Sequence, residues 1–125
     1  MAIVICNEII EDKRSNNKTL VGLFNGIRTQ QLPSAHPRMF VMASFTSGLG
    51  RWPVKFRIVD PSNNEIVRME GEENFENLLE VRDLVFELLG LPLSEEGTYV
   101  VDVIVGGTPV AERRFAVQLV KEGQQ

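Results

Sequence analysis

Across 125 residues the chain carries one cysteine, one histidine, one tryptophan and one tyrosine. Cys6 alone cannot close an intramolecular disulfide, and Cys6 with His36 falls short of the ligands a zinc site needs. A Ser-His-Asp hydrolase requires a histidine oriented by a carboxylate and a serine on a sharp turn. No Gly-x-Ser-x-Gly elbow occurs, and His36 stands in a proline-flanked stretch with no nominated partner. Phosphate cradles are missing too, because Gly48-Leu49-Gly50 has neither the third glycine nor a following helix. No apolar run approaches the roughly 18 residues of a membrane helix. The apolar start, Met1 to Ile5, is too short for a signal peptide and meets Glu8, Glu11 and Asp12 almost at once. Basic excess is absent as well: the net charge is -4 and the pI about 5.0, which argues against non-specific nucleic-acid binding. These absences set the expectation of a cytoplasmic protein without cofactor, membrane or nucleic-acid partner, and without enzymatic activity.

What is present points to many short strands. The apolar fraction is 43% and mean hydropathy is -0.04, as expected of one soluble globular domain over residues 1–121 with a frayed tail at 122–125. Glycine and proline are spread evenly, the punctuation of a sandwich or barrel. Ala2 to Ile10 is β-branched, and Lys18 to Asn25 follows a polar turn. Leu32-Pro33 and His36-Pro37 disfavour helix, so residues 26–38 read as a loop. Met39 to Thr46 is an apolar strand that could be covered on both faces. Val54, Phe56 and Ile58 alternate with Lys55 and Arg57, the period of a half-buried strand. Ile66 to Gly71 returns after the turn-forming Asp60-Pro61-Ser62-Asn63-Asn64. Residues 72–89 are ambiguous between helical spacing and a loop followed by a strand over roughly 83–91, with Leu84, Phe86 and Leu88 on one side. Tyr99, Val101, Val103 and Val105, the turn Gly106-Gly107, and Phe115, Val117 and Leu119 form the clearest hairpin.

Ahead of that hairpin, Leu93-Ser-Glu-Glu-Gly97-Thr-Tyr99 resembles the tyrosine corner of immunoglobulin-like sandwiches. There a tyrosine hydroxyl bonds back to upstream backbone where the chain crosses between sheets. Leu93, Gly97 and Tyr99 are thus the candidate structural corner. The crossing favours the strand reading of the preceding stretch, with room for one short helix within 72–82. The fold expected is an all-β, immunoglobulin-like two-sheet sandwich of seven to eight mostly antiparallel strands.

Two segments, Asn17 to Ile27 with Pro33 to Phe40, and Gly90-Leu-Pro-Leu93 with Gly97-Thr-Tyr99, together resemble an uncharacterised family of small bacterial proteins known only as a domain of unknown function. That resemblance implies a bacterial β-sandwich and carries no site residues.

The residues that best suggest binding are Trp52 and Arg51, within Ser47-Gly-Leu-Gly-Arg-Trp-Pro53, because Trp and Arg are frequent interface anchors. With His36 and Arg38 in the second presumed loop they make a candidate surface at the sandwich ends. The leading expectation is an intracellular, non-catalytic protein–protein interaction or scaffolding module. Its partner would be an unidentified protein, or a second copy joined through end loops or an edge strand. The alternative is a small-ligand or carbohydrate binder that uses Trp52 as a stacking platform. A more distant one is calcium or acid–base chemistry at 72–77, within a stretch of nine acidic residues against Arg82 over 70–96.

Overall fold

The computed structural model describes residues 2–15, 17–45, 50–75 and 82–120. Nine strands follow in order: β1 Ala2–Glu11, β2 Lys18–Leu23, β3 Gly26–Thr29, β4 Ser34–Phe45, β5 Gly50–Val59, β6 Glu65–Phe75, β7 Arg82–Leu93, β8 Gly97–Val105 and β9 Thr108–Leu119. They form a four-stranded sheet, β2-β1-β4-β7, and a five-stranded sheet, β3-β9-β8-β5-β6. All pairings are antiparallel except β3 on β9. Among the described residues there is no helix, and so none long and apolar enough to cross a membrane.

Period-two burial builds the core. Val54, Phe56 and Ile58 of β5, and Tyr99, Val101 and Val103 of β8, point inward with Phe115 and Val117 of β9. Met39, Val41, Ala43 and Phe45 of β4 and Leu88 of β7 meet them from the other sheet. Phe56 stacks on Phe86 of β7 with ring centroids 4.3 Å apart, joining the two layers directly.

The all-β sandwich expected from sequence is observed, with three corrections. Residues 26–38 are not one loop, since β3 occupies Gly26–Thr29 and β4 already begins at Ser34. Pro37 is tolerated there because β1 pairs with β4 only as far as Cys6 opposite Phe40. That end of β4 therefore has a neighbour on one side only, where a missing N–H breaks no ladder. The short helix does not form at either end of 72–82, because Glu72 to Phe75 continue β6 and Arg82 opens β7. Phe75 lies opposite Gly50 and tilts against Phe45, contacts that a helix would forfeit. Residues 76–81 and the proposed tail at 122–125 lie outside the described residues. Among the described residues the strand total is consequently nine and not seven or eight.

At one end of the sandwich β7 crosses to β8. Tyr99 is fully buried and its hydroxyl donates to the Glu95 carbonyl at 2.8 Å. Gly97, at φ +134°, packs so closely on Pro61 that a Cβ would lie 2.8 Å from its Cγ. The Ser62 hydroxyl donates to the Glu95 carboxylate at 2.8 Å, so the β5–β6 turn and the crossing brace each other. Asp60, buried, closes that turn by accepting from the backbone N–H groups of Ser62 at 3.0 Å and Asn64 at 2.8 Å. An Asx turn of this kind satisfies donors that would otherwise be orphaned.

The four-stranded sheet is not a simple row. β1 pairs with β4 through residues 2–6 and with β2 through residues 6–11, so its two halves serve different neighbours. Along the free side of the first half, Arg113 donates to the Ile3 carbonyl at 3.2 Å and the Phe24 N–H to the Ile5 carbonyl at 3.1 Å. The second half and β2 form a projecting hairpin arm. Straight continuation would leave Lys18, opposite Glu11, about 30 Å from Asp83, opposite Ser44, at ~3.3 Å per residue. Lys18 Nζ instead lies 3.9 Å from Asp83 Oδ2. The arm therefore doubles back across the outer face of the sheet. Cys6 and Phe40, paired on that face, are buried accordingly.

Candidate functional site

The outer face of the five-stranded sheet is a lattice of ion pairs. Arg57 bridges Asp102, its partner across β8, at 3.1 Å and Glu65 at 3.8 Å. Arg68 holds Glu65 at 2.5 Å, and that hydrogen bond keeps the Glu65 carboxyl below its ordinary range. Arg114 and Glu112 pair at 2.9 Å on β9. Such solvent-exposed pairs are individually weak and keep the face polar.

Trp52 and Arg51 lie in strand β5, not in an end loop. Arg51 pairs with Glu72 at 2.7 Å. Trp52, opposite Glu73, is 43% exposed, and its ring lies over the Gly106 turn of the β8–β9 hairpin. A Cβ at Gly106, where φ is +59°, would come 2.8 Å from Trp52 Cε3. Replacing Gly106 by Ala should therefore lift the ring, shifting Trp52 emission to the red and raising its quenching by acrylamide. The left-handed backbone adds a stability loss of about 1–2 kcal/mol. Unchanged emission would mean that the ring does not rest on this turn.

His36 and Arg38 lie at the other end of the sandwich, on β4. The His36 ring tilts against Phe24 at 56° with centroids 6.0 Å apart, and partial burial lowers its pKa below the ordinary 6.5. Arg38 covers the Phe40 ring at 4.9 Å and pairs with Glu87 at 3.3 Å. From His36 to Phe45, which neighbours the Gly50 end of β5 through Phe75, β4 runs about 30 Å at ~3.3 Å per residue. The four residues therefore form two separate surfaces and not one. Leu93, Gly97 and Tyr99 do gather at one corner, where the Tyr99 hydroxyl and the tight Gly97 contact are structural.

The acidic stretch is largely spoken for where it is described. Glu72 is held by Arg51, and Glu73 by Arg82 at 2.6 Å, while Arg82 also donates to the Asn74 carbonyl at 2.7 Å. Among the described residues no three His, Cys, Asp or Glu side chains gather as a metal site. Glu76 and Asn77 lie outside the described residues. Cys6 is buried opposite Phe40 on the covered face, and burial raises its thiol pKa.

Sequence reasoning missed the outward side of β7. Leu84, Phe86 and Leu88 face the core as expected, yet Val85 and Leu89, on the opposite side of the strand, are 40% and 70% exposed. β7 is an edge strand of its sheet. Met69 of the facing edge strand β6 is also exposed, across a cleft of about 170 Å³ lined by Val54, Leu84 and Phe86. The signal was available, because Arg82 to Leu93 is apolar at both parities, which a half-buried strand does not require.

The two-sheet architecture has a counterpart in sequence comparison, where one family model matches residues 1–118. The chain belongs to DUF6941, a family of unknown function. The match spans every strand of both sheets except the last residue of β9, so the architecture described above is that of a DUF6941 domain. No curated protein matches the chain. Membership agrees with the resemblance read from the residue patterns.

Proposed function

We propose that this chain is a non-catalytic, immunoglobulin-like interaction module that binds protein through the β7 edge. The observation that carries this reading is Leu89, 70% exposed near Val85 on a strand that, among the described residues, is the edge of its sheet. A large apolar side chain on an open edge is a liability unless something pairs with it. The polar, ion-paired face of the other sheet offers no comparable anchor. The immunoglobulin-like part of the reading is supported by the order β9-β8-β5-β6 opposite β1-β4-β7 and by the buried Tyr99 hydroxyl two residues before the inward Val101. A cytoplasmic setting, which keeps the free Cys6 thiol reduced, suits the same reading.

The occupant is a strand of a partner protein or of a second copy. Replacing Leu89 by Arg, at a site that contributes little to the core, should weaken self-association in sedimentation velocity, or capture of a partner, by about thirtyfold, the scale of a ~2 kcal/mol interface anchor. Association that is identical in wild type and variant would remove β7 from the interface. A second reading, small-ligand binding, is favoured by a groove of about 370 Å³ lined by Pro53, Lys55, Glu70, Ile104 and Gly107, whose Pro53 follows Trp52 in β5 and whose Gly107 follows the Gly106 that the Trp52 ring covers. Trp52 emission that stays flat on titration with mono- and oligosaccharides would count against it.

A further inference from the structure

We infer that the β1–β2 arm is a strap that opens as a unit, independently of global unfolding, and uncovers an apolar strip on the four-stranded sheet. Four observations converge on this. First, among the described residues the arm has no ladder to the rest of the protein: β2 pairs only with β1, and β1 beyond Cys6 pairs only with β2. Second, what it covers is separate from the sandwich core. Cys6 and Phe40 are buried, yet neither belongs to the buried cluster that Phe56, Tyr99 and Phe115 anchor. Removing the cover would leave that cluster intact.

Third, the arm's hold is slight. Ile9 and its partner Leu20 are only half-buried, while Glu8, Ile10, Thr19 and Val21 on the other side are exposed. The Lys18–Asp83 pair at 3.9 Å fastens the far end, and such a pair contributes about 0–1 kcal/mol. Fourth, the bend is localised. Gly22 sits at φ +71° against the Asn7 side chain, next to the point where β1 leaves β4. A left-handed glycine at the root of a two-stranded ribbon can take up the backbone rotation that lifting requires. Segments with few buried contacts open far below the global unfolding free energy.

Cys6, the sole thiol of the chain, lies beneath the strap and reports its position. The experiment is reaction of the full chain with an aromatic disulfide reagent, under native conditions and across low urea. The expected wild-type result is slow labelling at a rate nearly independent of low urea, well above the rate set by global unfolding. Lys18→Glu should accelerate labelling about fivefold, the factor equivalent to a lost surface ion pair, with an unchanged thermal midpoint. The reversed pair, Lys18→Glu with Asp83→Lys, should restore the slow rate. Leu20→Ser should accelerate it further, and Lys18→Glu keeps the test decisive if that variant is poorly folded. Two results overturn the proposal. One is wild-type labelling as fast as a free thiol, which means no cover. The other is labelling that tracks global unfolding in urea and ignores Lys18.

Discussion

Replacing Phe56 by Ala is expected to lower the unfolding free energy by about 3–5 kcal/mol, the range for emptying a fully buried aromatic site. Phe56 has no exposed surface and stacks on Phe86 across the layers at an interplanar angle of 18°. The loss therefore includes transfer free energy, a cavity between two sheets, and the ring contact itself. A stability change of this size would consume a large share of the 5–15 kcal/mol typical of a domain. Urea unfolding monitored by circular dichroism measures it. A loss under about 1 kcal/mol would show that the layers do not meet at this ring. Exposed Arg114 is the matching control, where Ala should change little.

The second large effect is expected at the β7–β8 crossing. Gly97→Ala should cost about 2–4 kcal/mol, from strain at φ +134° and from overlap with the Pro61 ring. Pro61 belongs to the turn that Asp60 closes, so it cannot retreat without breaking the bonds to Ser62 and Asn64. Tyr99→Phe at the same corner removes a hydrogen bond but no packing, and should cost only about 1 kcal/mol. Comparable losses for the two variants would contradict the close approach. Chemical denaturation of both proteins at one temperature decides the matter.

The parts of this fold that could be read from sequence are those set by neighbours two residues away. Val54, Phe56 and Ile58, and the hairpin from Tyr99 to Leu119, declare their inward sides by alternation alone. The Tyr99 corner was visible because three residue types at fixed spacing meet there. The N-terminal half was harder. Pro33 and Pro37 suggested a loop, since the sequence does not reveal that β1 leaves β4 at Cys6 and so frees that edge for proline. Gly50 and Pro53 made Trp52 look loop-borne for a similar reason: pairing of β5 with β8 starts only at Val54. Helical spacing through Phe75 lost to a long-range contact with Phe45 that no local pattern encodes. The arm's reversal depends on Lys18 meeting a residue 65 positions away in Asp83, beyond any periodicity. Trp52 and His36 draw attention by residue type, whereas the exposure of Leu89 shows only once the strands are placed.

The bonds along the outward side of β1 also decide how copies of this sheet can grow. With the Ile3 carbonyl taken by Arg113 and that of Ile5 by Phe24, the β1 border is closed to an incoming strand. A β1-to-β7 association would repeat head to tail without limit, and blocking one of its halves forbids it. A β7-to-β7 contact about a twofold axis is free of that block, and an isologous contact stops at two. Arg113 thus occupies a carbonyl that a β1-to-β7 contact would need, besides tying the two sheets together.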